Sequence, residues 1–267
     1  MVSVLLTDPV TFFARAAIAM RELPERNRPI RPYIVDHDWE ERLHARFGLV
    51  APCAIATDLP PLWDRIQTEL AAKRVRTGPM SYLGWNDGDR ALVRAAWCLV
   101  HHLKAAKVVE TGVGHGLTTR IVLEALARTG TGGRLWSIDF PPPLHPEWHW
   151  EIGIAVGAAD RGNWSYVKGL SRTRLPALLR QTGPIDLFIH DSNHSEDNVL
   201  FEMREAWAAL RTGGAMVIDD IDVNNGFHRF CSGAPPHVAY ICEADPIRPD
   251  ERRVNRKGMF GIIIKTI

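Results

Sequence analysis

The sequence predicts an α/β protein: a doubly wound, mostly parallel Rossmann-like sheet of seven strands, with a helical N-terminal extension. From about residue 88, short apolar runs alternate with helical patterns, which is the order of βαβ units with right-handed crossovers. The first run, Lys107-Val-Val-Glu-Thr111, breaks into glycines at alternate positions and then into a helical pattern. This combination indicates a buried strand, a tight turn and a helix N-terminus.

Residues 1–85 form the predicted extension, and residues 86–267 form the predicted main domain. Proline-rich breaks such as Arg28-Pro-Ile-Arg-Pro32 separate the helical patterns of the extension. These patterns lie near residues 8–22, 37–47 and 59–74, and a longer one follows at 88–103. The N-terminal helices are a candidate surface for homo-oligomer formation.

The strands and helices of the main domain follow from the period of the apolar residues. The predicted strands are Lys107–Thr111, Arg134–Asp139, Trp164–Lys168, Ile185–His190, Ala215–Asp219, His237–Cys242 and Met259–Thr266. The predicted helices between them lie near residues 117–129, 147–160, 172–181 and 196–211. The last two strands have no helix between them, so we expect a hairpin-like pair.

Composition narrows the class of protein. The net charge of +1 argues against nucleic acid as the main partner. The apolar run Val10–Met20 is interrupted by Arg15 and is short of the ~20 residues of a membrane span, so we expect neither a span nor a signal peptide. We therefore predict a cytoplasmic protein.

The cysteines and the paired histidines give no sign of a metal. Cys53, Cys98, Cys231 and Cys242 share no C-x-x-C spacing, which favours reduced thiols and argues against a zinc site. The pair His101-His102 has no Asp, Glu or Cys at a metal-ligand spacing and is expected at a helix end.

The glycine turn, residues 112–116, predicts a nucleotide-type ligand. Gly112, Gly114 and Gly116 read G-x-G-x-G and not the dinucleotide fingerprint G-x-G-x-x-G. Glu110 precedes the turn, and a carboxylate there repels phosphate but suits a cationic amino group. Thr118 stands where a helix N-terminal hydroxyl could bind a carboxylate.

Two further strand ends carry polar residues suited to the same ligand. Asp139 ends the second strand, about 20 residues after the turn, where a carboxylate can accept both hydroxyls of a ribose. Ser171 ends the Gly169-Leu-Ser171 loop after the third strand. Either residue could also be an ordinary strand-end or loop residue.

Acids converge after the fourth and fifth strands. Asp191, Asp219 and Asp220 would meet at neighbouring strand ends, where they repel each other unless a cation holds them. Oxygen ligands suit Mg²⁺, Mn²⁺ or Ca²⁺, so we predict a metal site here. His194 follows Asp191 by three residues. Two alternatives remain: His194 could cap the helix that begins near Ser195, and the acids could act without a metal.

The glycine turn and Asp139 resemble motif I and the ribose acid of class I S-adenosylmethionine-dependent methyltransferases of the Methyltransf_24 type. The acids resemble the metal site of Mg²⁺-dependent O-methyltransferases, such as the catechol and macrolide-sugar enzymes. In those families a base stands three residues after the first metal Asp; His194 matches the sugar-modifying group, and the catechol enzymes have Lys there. In the class I methyltransferases an adenine edge would lie at the loop that Ser171 ends. The resemblance covers roughly residues 80–267.

The resemblance implies a methyltransferase that uses S-adenosylmethionine and Mg²⁺ to O-methylate a small hydroxylated acceptor, with a sugar or a glycosylated metabolite favoured. It gives Asp191 both a catalytic and a cofactor-binding role. Two rivals remain. An NAD(P)-dependent oxidoreductase would need a sixth-position glycine, where Leu117 stands, and an inactive methyltransferase-like binding module would have no need for clustered acids.

Overall fold

A computed structural model of the chain describes residues 9–25, 27–73, 75, 88–140, 146–233, 237–245 and 258–266. The strands in these residues are β1 (Lys107–Thr111), β2 (Arg134–Asp139), β3 (Trp164–Lys168), β4 (Ile185–His190), β5 (Leu210–Ile218), β6 (His237–Glu243) and β7 (Met259–Lys265). They form one sheet in the order β3-β2-β1-β4-β5-β7-β6. The first five strands are parallel, and β7 runs antiparallel to β5 and β6. The predicted fold class is confirmed.

Helices cover both faces of the sheet. The α-helices of the described residues are α1 (Pro9–Glu22), α2 (Trp39–Arg46), α3 (Leu59–Ala72), α4 (Arg90–His102), α5 (Leu117–Thr129), α6 (Ser171–Thr182), α7 (Glu196–Ala209) and α8 (Gly226–Gly233). None of the helices in these ranges is long and apolar enough to cross a membrane.

Alternate residues of the central strands feed two separate cores. Val108 and Leu187 belong to the core shared with α4 and α5, whereas Val109 and Phe188 belong to the core shared with α6 and α7. Because both faces of these parallel strands are buried, adjacent residues such as Val108 and Val109 are both apolar.

The N-terminal helices share the first of these cores. Leu43 of α2, Ile66 of α3 and Leu99 of α4 are all fully buried in it. The Trp97 indole nitrogen also donates a hydrogen bond to the Ile55 carbonyl oxygen at 2.9 Å. Where the structure describes it, the predicted extension therefore packs directly on the main domain. The predicted boundary at residue 85 lies outside the described residues.

One predicted helix is wrong. Residues 147–160 do not form an α-helix; they contain two 3-10 turns, Pro146–Glu151 and Ala158–Asn163. Between these turns, the backbone N–H groups of Gly153 and Ala155 donate to the carbonyls of Gly114 and His115, each at 2.9 Å. Backbone groups engaged with the glycine turn cannot complete a helix.

Smaller differences lie around β5 and after it. The strand begins at Leu210, five residues earlier than predicted, because Leu210 pairs with Ile185 across from β4. Helix α7 therefore ends at Ala209 and not at residue 211. Helix α8 was not predicted, since its eight residues carry glycine at both ends.

Replacing Gly116 with Ala should destabilise the fold more than replacing Gly130 with Ala. Both glycines have positive φ, at +82° and +67°, but a Cβ at Gly116 would lie 2.7 Å from Gly153 Cα, whereas a Cβ at Gly130 meets nothing within 4 Å. The left-handed backbone costs about 1–2 kcal/mol in either variant, and the clash at Gly116 adds about 1–3 kcal/mol. Urea unfolding of the two variants measures the difference, and equal losses of stability would contradict the packing role of Gly116.

Candidate active site

A cavity of roughly 500 Å³ opens at the carboxyl ends of the parallel strands, which is where open α/β sheets bind ligands. Its wall combines the turns that follow β1 to β4 with one face of α1. The lining residues used below are Arg15, Glu22, Gly112, Gly114, Asp139, Phe140, Gly169, Ser171, Asp191, Ser192, Asn193 and Asn198. We call this space the first cavity.

The glycines of the turn have different tasks. Gly112 has a φ of +85°, and a Cβ there would lie 1.7 Å from the Asp191 carbonyl oxygen, so only glycine lets the turns after β1 and β4 meet. Gly112 and Gly114 line the first cavity. Gly116 instead contacts Gly153, so its small size serves packing.

Asp139 joins the end of β2 to the glycine turn. Its Oδ2 accepts hydrogen bonds from the backbone N–H groups of Val113 and Gly114, each at 3.0 Å. The carboxylate therefore holds the turn in shape while it lines the first cavity. Ser171 and Gly169 also line this cavity. The loop after β3 therefore reaches the same cavity as the glycine turn and Asp139.

Unlike Asp139 and Ser171, the predicted donor-site residues Glu110 and Thr118 are not among the described residues that line the first cavity. Glu110 is 1% exposed, and its Oε2 accepts hydrogen bonds from Thr119 Oγ1 at 2.8 Å and Ser137 Oγ at 2.6 Å. The predicted contact of Glu110 with an amino group thus remains a prediction, while its carboxylate bonds β2 and α5 to β1.

Burial raises the pKa of Glu110 to about 7, although the Ser137 and Thr119 hydroxyls oppose the rise. The cause is desolvation: a carboxylate with no water around it is stable only where donors replace that water. Two neutral hydroxyls compensate for part of this loss. The side chain therefore exchanges its proton near neutral pH.

His194 lies among the three predicted acids. Its Nε2 is 3.8 Å from Asp191 Oδ1 and 3.7 Å from Asp219 Oδ2, and its Nδ1 is 3.3 Å from Asp220 Oδ2. We call Asp191, Asp219 and Asp220 the acid cluster. Asp220 has a left-handed backbone, with a φ of +51°, a conformation that Asp tolerates better than most residues. The structure thus brings together four residues from two strand ends, as the sequence predicted.

His194 is not the cap of the following helix. That role belongs to Ser195, whose Oγ accepts a hydrogen bond from the Asn198 backbone N–H at 3.3 Å. The His194 carbonyl accepts a hydrogen bond from Asn224 Nδ2 at 2.9 Å, which fixes the backbone. The imidazole therefore projects toward the acids without a capping function.

A buried carboxylate that the sequence analysis missed holds the loop between β4 and α7. Glu202 is fully buried; its Oε2 lies 2.7 Å from His190 Nδ1, and its Oε1 accepts hydrogen bonds from Ser192 Oγ at 2.8 Å and Asn198 Nδ2 at 2.9 Å. Burial would raise the pKa of Glu202, but the His190 ring and hydrogen bonds from neighbouring side chains lower it to about 2. The ionised carboxylate positions two residues of the first cavity. Its place in an amphipathic helix gave no signal.

Helix α1 covers the site, which the sequence analysis also missed. Arg15 Nη2 donates to the Phe140 carbonyl at 3.1 Å, and Glu22 Oε1 accepts a hydrogen bond from Asn193 Nδ2 at 2.6 Å. Three residues after Glu22, the Glu25 carboxylate accepts hydrogen bonds from the backbone N–H groups of Glu196 and Asp197, each at 2.8 Å. We call the described residues 9–25 and 27–31 the strap.

A second cavity of roughly 350 Å³ lies beside the first, under the strap. The two cavities share Glu22 and Asn193, whose side chains are hydrogen-bonded to each other. Most residues that line the second cavity are polar, and His194 is one of them. Its other lining residues are Glu25, Arg28, Ile30, Ser195, Glu196, Val223, Asn224 and Asn225.

Comparison with known proteins agrees with this geometry. A family model of the Methyltransf_24 type, described as a methyltransferase domain, matches residues 109–221, from β1 to just beyond the acid cluster. Residues 109–221, which include the glycine turn, Asp139 and the acid cluster, are therefore similar to a methyltransferase domain. No curated protein matches the chain in sequence.

Solved structures share the fold at low sequence identity. An O-methyltransferase of Bacillus cereus in complex with SAH has a TM-score of 0.52 at 14% identity, with 85% of this chain and 99% of that chain covered. An O-methyltransferase of Streptomyces achromogenes, involved in tomaymycin synthesis and in complex with SAM, has a TM-score of 0.53 at 15% identity, with 88% and 100% covered. At such identities the similarity establishes the fold alone.

Replacing Glu110 with Gln should change how stability depends on pH. The folded-state pKa of about 7 lies above the ordinary value of 4.5, so between these values the native state holds a proton that the unfolded state has lost. The wild-type contribution is therefore present below pH 4.5 and is lost as the pH rises through 7. Urea unfolding from pH 5 to 8 should show wild type losing on the order of 3 kcal/mol relative to Glu110→Gln.

The matched control is Glu243→Gln, which changes an exposed glutamate at the sheet edge. This control should retain the wild-type pH profile. Parallel profiles for wild type and Glu110→Gln would contradict the raised pKa.

Proposed function

We propose that the protein is a methyltransferase that uses S-adenosylmethionine to methylate a hydroxyl group, with the donor in the first cavity and His194 as the base. The observation that carries the proposal is the position of His194. It stands within 3.8 Å of three carboxylates, next to the cavity that holds the glycine turn and Asp139. A donor site and a base thus face each other at one edge of the sheet.

Support for the donor comes from the first cavity and from the structures in complex with SAM or SAH. S-adenosylmethionine, when bound, supplies an electrophilic sulfonium methyl group. Asp139 is placed to accept the ribose hydroxyls, and Gly112 and Gly114 let the backbone approach the ligand closely. Arg15 of α1 lines this cavity, and its guanidinium lies 4.5 Å from the Phe140 ring centroid.

Support for the base comes from the surroundings of the imidazole. A neutral His194 can accept the acceptor's hydroxyl proton on Nε2 while Asp220, at 3.3 Å from Nδ1, orients the ring. The negative charge of Asp220 also stabilises the imidazolium that forms, in the way a carboxylate supports a histidine base. General-base catalysis of this kind contributes about 10²–10⁴-fold to the rate.

We also propose a divalent cation at the acid cluster. Asp191, His194 and Asp219 each offer one ligand atom, and these atoms lie within 4.8 Å of one another. Oxygen-rich sites of this kind suit Mg²⁺, with Mn²⁺ or Ca²⁺ as alternatives. Such an ion would lower the pKa of a bound hydroxyl. Because the proposal uses His194 as the base, Asp191 and Asp219 are the candidate ligands of the ion. Asp220, the third predicted ligand, lies nearest to His194 Nδ1.

The proposed acceptor is a small, hydroxyl-rich molecule such as a sugar or a glycosylated metabolite. Support comes from the polar wall of the second cavity beside His194, which includes Asn193, Ser195, Asn224 and Asn225. The three amides are hydrogen-bonded within the protein, and each keeps a second N–H that a hydroxyl-rich acceptor could use. We further propose a cytoplasmic location, in line with four free cysteines, and no nucleic-acid partner. Self-association through the N-terminal helices stays a prediction.

Replacing Asp139 with Asn should weaken binding of S-adenosylhomocysteine by about ten- to a hundredfold, since one charged acceptor is worth about 1.5–3 kcal/mol. The amide oxygen of Asn can still accept the Val113 and Gly114 N–H groups, so the turn should keep its shape. Isothermal calorimetry measures the affinity, with NAD⁺ as the control ligand. Preferential binding of NAD⁺ by wild type would overturn the donor proposal in favour of an oxidoreductase.

Replacing His194 with Gln should lower kcat by about 10²–10⁴-fold and leave S-adenosylhomocysteine affinity unchanged. The measurement is methyl transfer from labelled S-adenosylmethionine to a panel of sugars, glycosides and catechols. His37→Gln, at an exposed position, is the matched control and should keep wild-type turnover. Near-normal turnover by His194→Gln would show that His194 is not the base. Wild type that binds S-adenosylhomocysteine but methylates no compound in the panel would favour the binding-module alternative.

The same assay tests the cation. Treatment with a chelator should abolish turnover, and Mg²⁺ should restore it, whereas turnover that survives chelation would remove the ion from the mechanism.

A further inference from the structure

Four potential metal ligands meet far from the strand ends that hold the candidate active site. They are His44 in α2, Cys53 in the loop after it, and Cys98 and His102 in α4. Each offers one nitrogen or sulfur atom, and these four atoms lie within 4.8 Å of one another. We call these residues the Cys-His cluster. It joins the N-terminal helices to the first helix of the main domain.

The His44 ring is held in one orientation. Its Nδ1 lies 2.6 Å from the Glu40 carbonyl oxygen; since a carbonyl only accepts, Nδ1 must carry the proton and Nε2 must carry the lone pair. This Nε2 is buried and has no hydrogen-bond partner among the residues that the structure describes. A buried acceptor left unsatisfied costs about 1–3 kcal/mol, so an occupant for it is expected. Histidines that bind metals are commonly oriented by such a carbonyl.

The other ligands are placed to complete the set. Cys98 and His102 are four residues apart on one helix and thus project from the same face. The His102 Nε2 lies 3.8 Å from Cys53 Sγ, and the His44 and His102 ring centroids are 5.1 Å apart. Cys53 and Cys98 are free thiols and buried. The sequence-based statement that the His101-His102 pair has no cysteine at a ligand spacing is therefore wrong for His102.

The chemistry of the set matches zinc. Two thiolates and two neutral imidazoles form the closed, four-coordinate arrangement of structural zinc sites, with metal–ligand distances of about 2.0–2.3 Å. A tetrahedron of that size separates its ligand atoms by roughly 3.3–3.8 Å, so the observed cluster needs only a small contraction. Two negative charges offset Zn²⁺, which allows a site of zero net charge in a buried position.

We propose that His44, Cys53, Cys98 and His102 bind a structural Zn²⁺ ion that fastens the N-terminal helices to the sheet domain. On binding, each thiol releases one proton and each sulfur donates an electron pair to the metal, and both histidines bind as neutral ligands. Because the ligands come from two segments separated by 44 intervening residues in sequence, counting from Cys53 to Cys98, the ion closes a long loop and stabilises the fold.

The test is metal analysis of the full chain purified without a histidine tag. We expect one Zn²⁺ per chain by mass spectrometry. We also expect Co²⁺ added to the zinc-free protein to give a thiolate-to-metal charge-transfer band together with tetrahedral d–d bands. The oxygen ligands of the acid cluster cannot give the thiolate band, so the two sites are distinguishable. This readout is also independent of methyl transfer.

The variants Cys98→Ser and His102→Gln should each lower zinc content and the Co²⁺ charge-transfer band at least tenfold. Their matched controls, Cys231→Ser and His101→Gln, lie outside the cluster and should keep both. If the variants do not fold, thermal unfolding of wild type with and without zinc replaces them, and zinc should raise Tm. Wild type that gives no thiolate band with Co²⁺ would overturn the proposal, as would an intact mass two hydrogens lower, which would mean a Cys53–Cys98 disulfide.

Discussion

The parallel pairing of β1 between β2 and β4 is the constraint on which the site depends. It places the carboxyl ends of three strands at one edge of the sheet, so the glycine turn, Asp139 and Asp191 must be neighbours. Gly112 lies so near the Asp191 carbonyl oxygen that no Cβ could fit between them. A side chain at residue 112 would push β1 and β4 apart and separate the two halves of the site.

Two buried carboxylates support this edge in opposite electrostatic states. Glu110 is held by two neutral hydroxyls and has a pKa raised to about 7, whereas Glu202 lies against His190 and has a pKa lowered to about 2. The difference follows from their partners, because a positively chargeable ring offsets desolvation better than hydroxyls do. Glu110 ties together β1, β2 and α5, and Glu202 positions the loop that begins the acid cluster.

The N-terminal helices contribute to the site as well as to the core. Helices α2 and α3 pack into the core on one face of the sheet, and the strap reaches the strand ends, where Glu22 bonds Asn193 between the two cavities. The Cys-His cluster joins α2 and the loop after it to α4. The proposed zinc ion would therefore hold in place α2, the α-helix that follows the strap.

The amino-acid sequence was enough to predict the order of the strands along the chain and the polar residues at their ends. Glycines at alternate positions and acids after apolar runs are local patterns, and parallel pairing converts them into neighbours. The bounds of β1 to β4, the presence of Asp139 and Ser171 at the first cavity, and the meeting of His194 with the acid cluster were predictable for this reason. The family resemblance added roles that the residues alone left open.

Contacts between residues far apart in sequence became known only from the folded structure. The docking of α1 on the site, the role of Glu202 and the Cys-His cluster all depend on which helix face packs where, and an amphipathic pattern does not specify its partner. The same reason explains the wrong helix at residues 147–160, whose backbone bonds the glycine turn. Local patterns fix what a segment can form, but packing decides which of its groups remain available and which residues they contact.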